Sequence, residues 1–69
     1  MSTLSELAAE YRESAALCRD RAAKLARELP ELRAVDARRL RVRINELRAM
    51  ERDCLDTAAH LERYYRHTK

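Results

Sequence analysis

Apolar residues recur along this chain at alternating spacings of three and four. From the N-terminus the stripe reads Met1, Leu4, Ala8, Tyr11, Ala15, Cys18, Ala22, Leu25 and Leu29. After an interruption near Pro30 it resumes as Ala37, Leu40, Ile44, Leu47, Glu51, Cys54, Ala58, Leu61 and Tyr65, with Glu51 the one polar member. A period of three and four keeps every member on one side of a helix. Two such runs around a single break predict an all-α fold, an antiparallel two-helix hairpin of coiled-coil type. The first helix is expected over residues 3–29, the turn over 30–35 and the second helix over 36–66, in one unit spanning residues 1–69.

The helix ends follow from local chemistry. Thr3 with Glu6 three residues on is a capping box, in which hydroxyl and carboxylate satisfy each other's free N–H groups. Leu29 precedes Pro30, and a residue before proline is biased away from the helical region, so the first helix should stop near Glu28 or Leu29. Asp36 is the favoured N-cap of the second helix. A rival start places Pro30 at the first helical position.

A register follows from a turn centred near residue 31 or 32. It sets Leu4 against Ala58, Ala8 against Cys54, Ala15 against Leu47, Cys18 against Ile44 and Ala22 against Leu40, so that small meets large in nearly every layer. It also sets Tyr11 against Glu51. Cys18 and Cys54 then lie roughly 15 Å apart along the axis, too far for a disulfide, and are expected to be buried free thiols. A register one heptad further on also gives tolerable layers. It needs a turn centred well beyond Pro30, would bring the two cysteines close, and ranks second.

Composition narrows the class. There is no Gly, one Pro and no Trp or Phe, and 39% of residues are charged, which fits long helices and argues against sheets. Phosphate-cradling loops and nucleophile elbows need glycine and are excluded. No basic-then-apolar leader and no long apolar run is visible, so the expected location is the cytoplasm, with no membrane span and with reduced thiols. A chain of 69 residues buries little surface by itself and often needs a partner.

The second set of apolar residues points the same way. Leu7, Met50 and Tyr64 flank the stripe, whereas Leu17, Val42 and Leu55 lie outside it. Self-association into a four-helix homodimer, or docking on a host protein, would cover them.

Candidate chemistry is sparse. His60 and His67 lie seven residues apart, roughly 10 Å on a helix and too far to share a metal ion. The cysteines belong to the seam and the carboxylates are scattered on wet faces, with no cleft to shift a pKa. No catalytic residue, metal ligand, cofactor or small-molecule substrate is therefore assigned.

The cations are more suggestive. Arg33, Arg38, Arg39, Arg41, Arg43 and Arg48 face only Asp36 and Glu46 as local counter-charges. Positive charge at a helix N-terminus opposes the macrodipole, so stability does not explain it. Arg38, Arg39, Arg41, Arg43 and Arg48 are candidates for binding a nucleic-acid backbone or an acidic partner. At the other end Leu61 would stand opposite Met1, leaving Tyr64, Tyr65 and Arg66 to overhang the first helix as a contact patch, since aromatic and Arg side chains favour interface centres. With Leu17, Val42 and Leu55 these are the candidate partner-binding residues.

The stretches Leu4-Ser5-Glu6-Leu7-Ala8-Ala9-Glu10-Tyr11-Arg12 and Leu61-Glu62-Arg63-Tyr64-Tyr65 resemble small helical-hairpin proteins carried on prophages and integrative elements of Firmicutes. The resemblance implies a mobile-element accessory protein, acting as an inhibitor or adaptor through helix–helix contacts. In architecture the chain is also similar to plasmid copy-number hairpin proteins of the ROP type, dimeric four-helix bundles that bind RNA. The function expected is a non-enzymatic protein-binding module, with a small RNA- or DNA-binding dimer as the alternative.

Overall fold

The computed structural model describes residues 3 to 67, with side chains for residues 3 to 64. Two helices pack along their lengths into a rod of 54 × 15 × 15 Å. The first, α1, spans Leu4–Glu28; a 3-10 turn spans Leu29–Glu31; the second, α2, spans Ala34–His67. The all-α hairpin is thus the fold, and among the described residues there is no strand.

Helix α1 starts at its cap. Thr3 is extended, with φ −81° and ψ 166°, and its hydroxyl accepts from the Glu6 N–H at 3.0 Å. The Thr3 carbonyl accepts the first helical bond from the Leu7 N–H at 2.9 Å. This is the hydroxyl half of the box expected from the sequence.

Helix α1 stops at Glu28, as expected, but the start of α2 departs from expectation, and the path of the turn resets the register. Leu29 keeps helical backbone although it precedes Pro30, and the chain tightens into the 3-10 turn with Pro30 at its start. Leu32 is extended, with φ −98° and ψ 151°. The Arg33 carbonyl already accepts the first bond of α2, from the Ala37 N–H at 2.8 Å. Helix α2 therefore begins two residues before the expected Asp36 cap. Asp36 stands in the first turn instead, where its carboxylate still opposes the positive end of the helix.

Because the 3-10 turn and Leu32 continue the climb past Glu28, the apex lies near Ala34 and Val35 rather than at Pro30. Three observations place the helices one heptad from the favoured alignment. Arg12 forms an ion pair with Glu62 across the seam; in the favoured alignment these residues would be about 18 Å apart along the axis, beyond an arginine's reach. Ala22, Ile44 and Leu47 form one buried cluster against which Leu25, Leu29 and Leu40 pack. Ala26 and Leu29 share a groove with Arg41, Ile44, Asn45 and Arg48.

The second-ranked register is therefore the one adopted. It sets Ala8 level with Leu61, Tyr11 with Ala58, Ala15 with Cys54, Ala22 with Leu47, Leu25 with Ile44 and Leu29 with Leu40. Small meets large in three of these six layers; Ala15–Cys54 pairs two small residues, and Leu25–Ile44 and Leu29–Leu40 pair large ones, so layer complementarity favoured the other alignment and the turn overrides it. The expected Tyr11–Glu51 layer is replaced: Tyr11 is level with Ala58, and Glu51 with Cys18. The expected overhang at the tyrosine end is absent too, since Tyr64 is level with the first turn of α1. The chain overhangs at the turn, where Val35 is 65% exposed.

The core is thin. Among the described residues seven apolar side chains are buried: Ala8, Ala15, Ala22, Ala37, Ala58, Ile44 and Leu47. Cys18 and Cys54 are free, although the adopted register brings them close rather than holding them roughly 15 Å apart, and they are half-buried rather than buried.

Candidate interaction surfaces

With the stripe at heptad positions a and d, each edge of an antiparallel seam is built from one further position. The e edge carries Ser5, Arg12, Arg19 and Ala26 from α1 with Arg41, Arg48, Leu55 and Glu62 from α2. The g edge carries Leu7, Ser14, Arg21 and Glu28 with Arg43, Met50, Thr57 and Tyr64. The Arg12–Glu62 pair and the groove shared by Ala26, Arg41 and Arg48 show e meeting e directly.

The two edges differ in chemistry. Near the turn, the e edge is a groove of about 250 Å³ with Ala26, Leu29 and Ile44 beneath Arg41, Asn45 and Arg48. Among the described residues neither Arg41 nor Arg48 makes an ion pair, whereas Arg43, on the opposite edge, is held by Glu46 at 3.2 Å. Arg38 lies just outside the e edge, and Arg39, at the same heptad position as Leu17, lies beside the g edge. The five arginines singled out in the sequence are thus splayed around α2, and only Arg41 and Arg48 share a groove.

The g edge is apolar toward the open end of the rod. Met50 is 48% exposed and Tyr64 57%. Leu17, at 71% the most exposed large apolar side chain among the described residues, sits one position further round α1 beside this edge. Leu7 and Tyr11 are half-buried and, with Glu10 and Ser14, line a shallow pocket there.

The candidate partner-binding residues are therefore not one patch. Leu17 and Tyr64 share the g side, Leu55 lies on the e edge and Val42 points outward from α2. The side chains of Tyr65 and Arg66 lie outside the described residues. Leu7 and Met50, read from the sequence as flanking the stripe, turn out to share a face with Leu17 and Tyr64. Assigning heptad letters to every apolar residue, not only to the stripe, would have shown this.

Among the described residues no three His, Cys, Asp or Glu side chains come together to hold a metal ion. No helix among them is long and apolar enough to cross a membrane. Comparison with protein-family models, with curated proteins and with solved structures finds no match.

Proposed function

We propose that the hairpin is a non-enzymatic protein-binding module that acts through helix–helix contacts on its g side. The observation that supports this is the placement of Leu17, Met50 and Tyr64 on one side of a hairpin whose own core is mostly alanine. Isolated exposed apolar residues are ordinary; several large ones aligned over a thin core fit a surface that a second helical element covers. The test is photo-crosslinking in the producing cell, with a diazirine amino acid replacing Met50 and, as control, Leu55 on the opposite edge. Protein adducts are expected at position 50 and few at 55. No protein adduct at 50, or equal yields at both, contradicts the reading.

A second reading has its own support in the groove flanked by Arg41 and Arg48, whose guanidinium groups suit phosphate oxygens. As a nucleic-acid binder the chain would shift an RNA or DNA probe at low salt and release it steeply as salt rises. No shift at low salt rejects it.

A further inference from the structure

The g side carries an internal symmetry that identifies its occupant. Met50 and Tyr64 lie one heptad either side of Thr57 on α2. Leu7 and Leu17 lie evenly about residue 12 on α1. The adopted register sets residue 57 level with residue 12, so both pairs are centred on one point of the rod. An isologous interface needs just this arrangement, because a two-fold axis through the patch must bring each residue against its counterpart's partner. A second copy turned end for end would set Met50 against the other copy's Tyr64, Leu7 against its Leu17, and Thr57 against itself.

Charge fits the same axis. Residues 20–48, the turn-proximal half, hold nine Lys and Arg against five Asp and Glu, while the rest of the chain holds six against seven. A two-fold level with residue 12 overlaps the copies as far as about residue 22 of α1 and residue 47 of α2. The near-neutral halves then overlap and the basic halves project at opposite ends. A side-by-side dimer with both turns at one end would instead crowd two excesses of positive charge together.

Resting on the reading of the g side as a binding surface, we infer that its partner is a second copy of this chain, antiparallel and offset, with the two-fold axis at Thr57. The dimer is a rod whose turn apices are about 70 Å apart, longer than the 54 Å hairpin. Its ends carry the basic grooves, and its middle is a short four-helix bundle.

Disulfide trapping tests this in a chain with Cys18 and Cys54 changed to Ser. Thr57→Cys should form a covalent dimer rapidly on mild oxidation. Met50→Cys alone should not, because its two copies stand about 21 Å apart. Met50→Cys mixed with Tyr64→Cys should cross-link. The unmodified chain in small-angle X-ray scattering should show a dimer with a maximum dimension near 70 Å, a measurement independent of whether the serine background folds. Met50→Glu should weaken that dimer at least tenfold. A strict monomer at high concentration, a dimer no longer than one hairpin, or Met50→Cys cross-linking to itself as readily as Thr57→Cys overturns the inference. Photo-adducts at position 50 carrying only a different protein would overturn the self-partner while leaving the binding reading intact.

Discussion

The turn-proximal half and the open half of this rod solve the problem of a small core in different ways. Near the turn, Ile44 and Leu47 close on Ala22, with Leu25, Leu29 and Leu40 packed around them. That half also carries the excess positive charge, which works against compaction. Toward the open end the buried residues are Ala8, Ala15 and Ala58, each offering little apolar area. Their neighbours Tyr11, Leu61 and Cys54 are only half-buried, and the Arg12–Glu62 pair closes one edge at the surface. Yet this half exposes Leu17, Met50, Leu55 and Tyr64. The well-packed half is charged and exposes Leu32 and Val35 at the turn and Val42 on the outer face; the weakly packed half is near neutral and exposes Leu17, Met50, Leu55 and Tyr64 at or beside the seam edges. The difference teaches that apolar residues withheld from the intramolecular core mark the region suited to an intermolecular one.

Substitutions can break that comparison. The largest effect is expected from Leu47→Ala, which empties the best-packed layer and should cost about 2–4 kcal/mol. In a chain this short, each kcal/mol shifts the melting midpoint by roughly 4–8 °C, so the circular-dichroism melt should fall steeply. Leu61→Ala in the open half should cost about 1 kcal/mol, since that side chain keeps contact with solvent in the native state. Equal losses at the two sites would erase the distinction between the halves.

A chemical probe sharpens it at the junction of the halves. Under the adopted register Cys18 and Cys54 stand within about one helical turn of level. A short thiol-bridging reagent such as dibromobimane should join them within one chain, read as a single added bridge by mass spectrometry. In the alignment one heptad away they would be roughly 15 Å apart and unbridgeable. Absence of the intrachain bridge would speak for that other register.

The smallest effects belong to the exposed polar contacts. Thr3→Ala removes the hydroxyl bonded to the Glu6 N–H and should cost about 1 kcal/mol at the open end. Glu62→Gln breaks the cross-seam pair between partners 48% and 36% exposed, and should cost less than about 1 kcal/mol, vanishing in high salt. A loss above 2 kcal/mol for either, in the same melts, would mean the open half depends on its surface more than its packing implies.

Most of the fold was legible in the chain because helix periodicity is a one-dimensional signal. The three-and-four spacing places Ala8, Ala15 and Ala22 on the seam whatever they meet. The register was not legible, because small-against-large pairing favours the alignment one heptad away, whereas the adopted one sets Leu25 against Ile44 and Leu29 against Leu40. What decided it was the turn. Leu29 stayed helical ahead of Pro30, and the 3-10 turn followed by extended Leu32 carried the chain further before it reversed, which moved the apex by several residues. The candidate surfaces were legible as residues but not as places. Leu17, Val42 and Leu55 read alike as surplus apolar positions, and only their edges of the seam separate them. The same holds for the arginines, of which Arg41 and Arg48 alone share a groove.

The most direct test of the account is amide hydrogen exchange measured at low and at high protein concentration. Amides around Ala22, Leu25, Ile44 and Leu47 should be the slowest at both and should not change. Those of α1 before Ala15 and of α2 beyond Cys54 should be fast when dilute and slow several-fold when concentrated, as the second copy covers them. Concentration-independent exchange throughout, or protection that rises in the turn-proximal half instead, would contradict it.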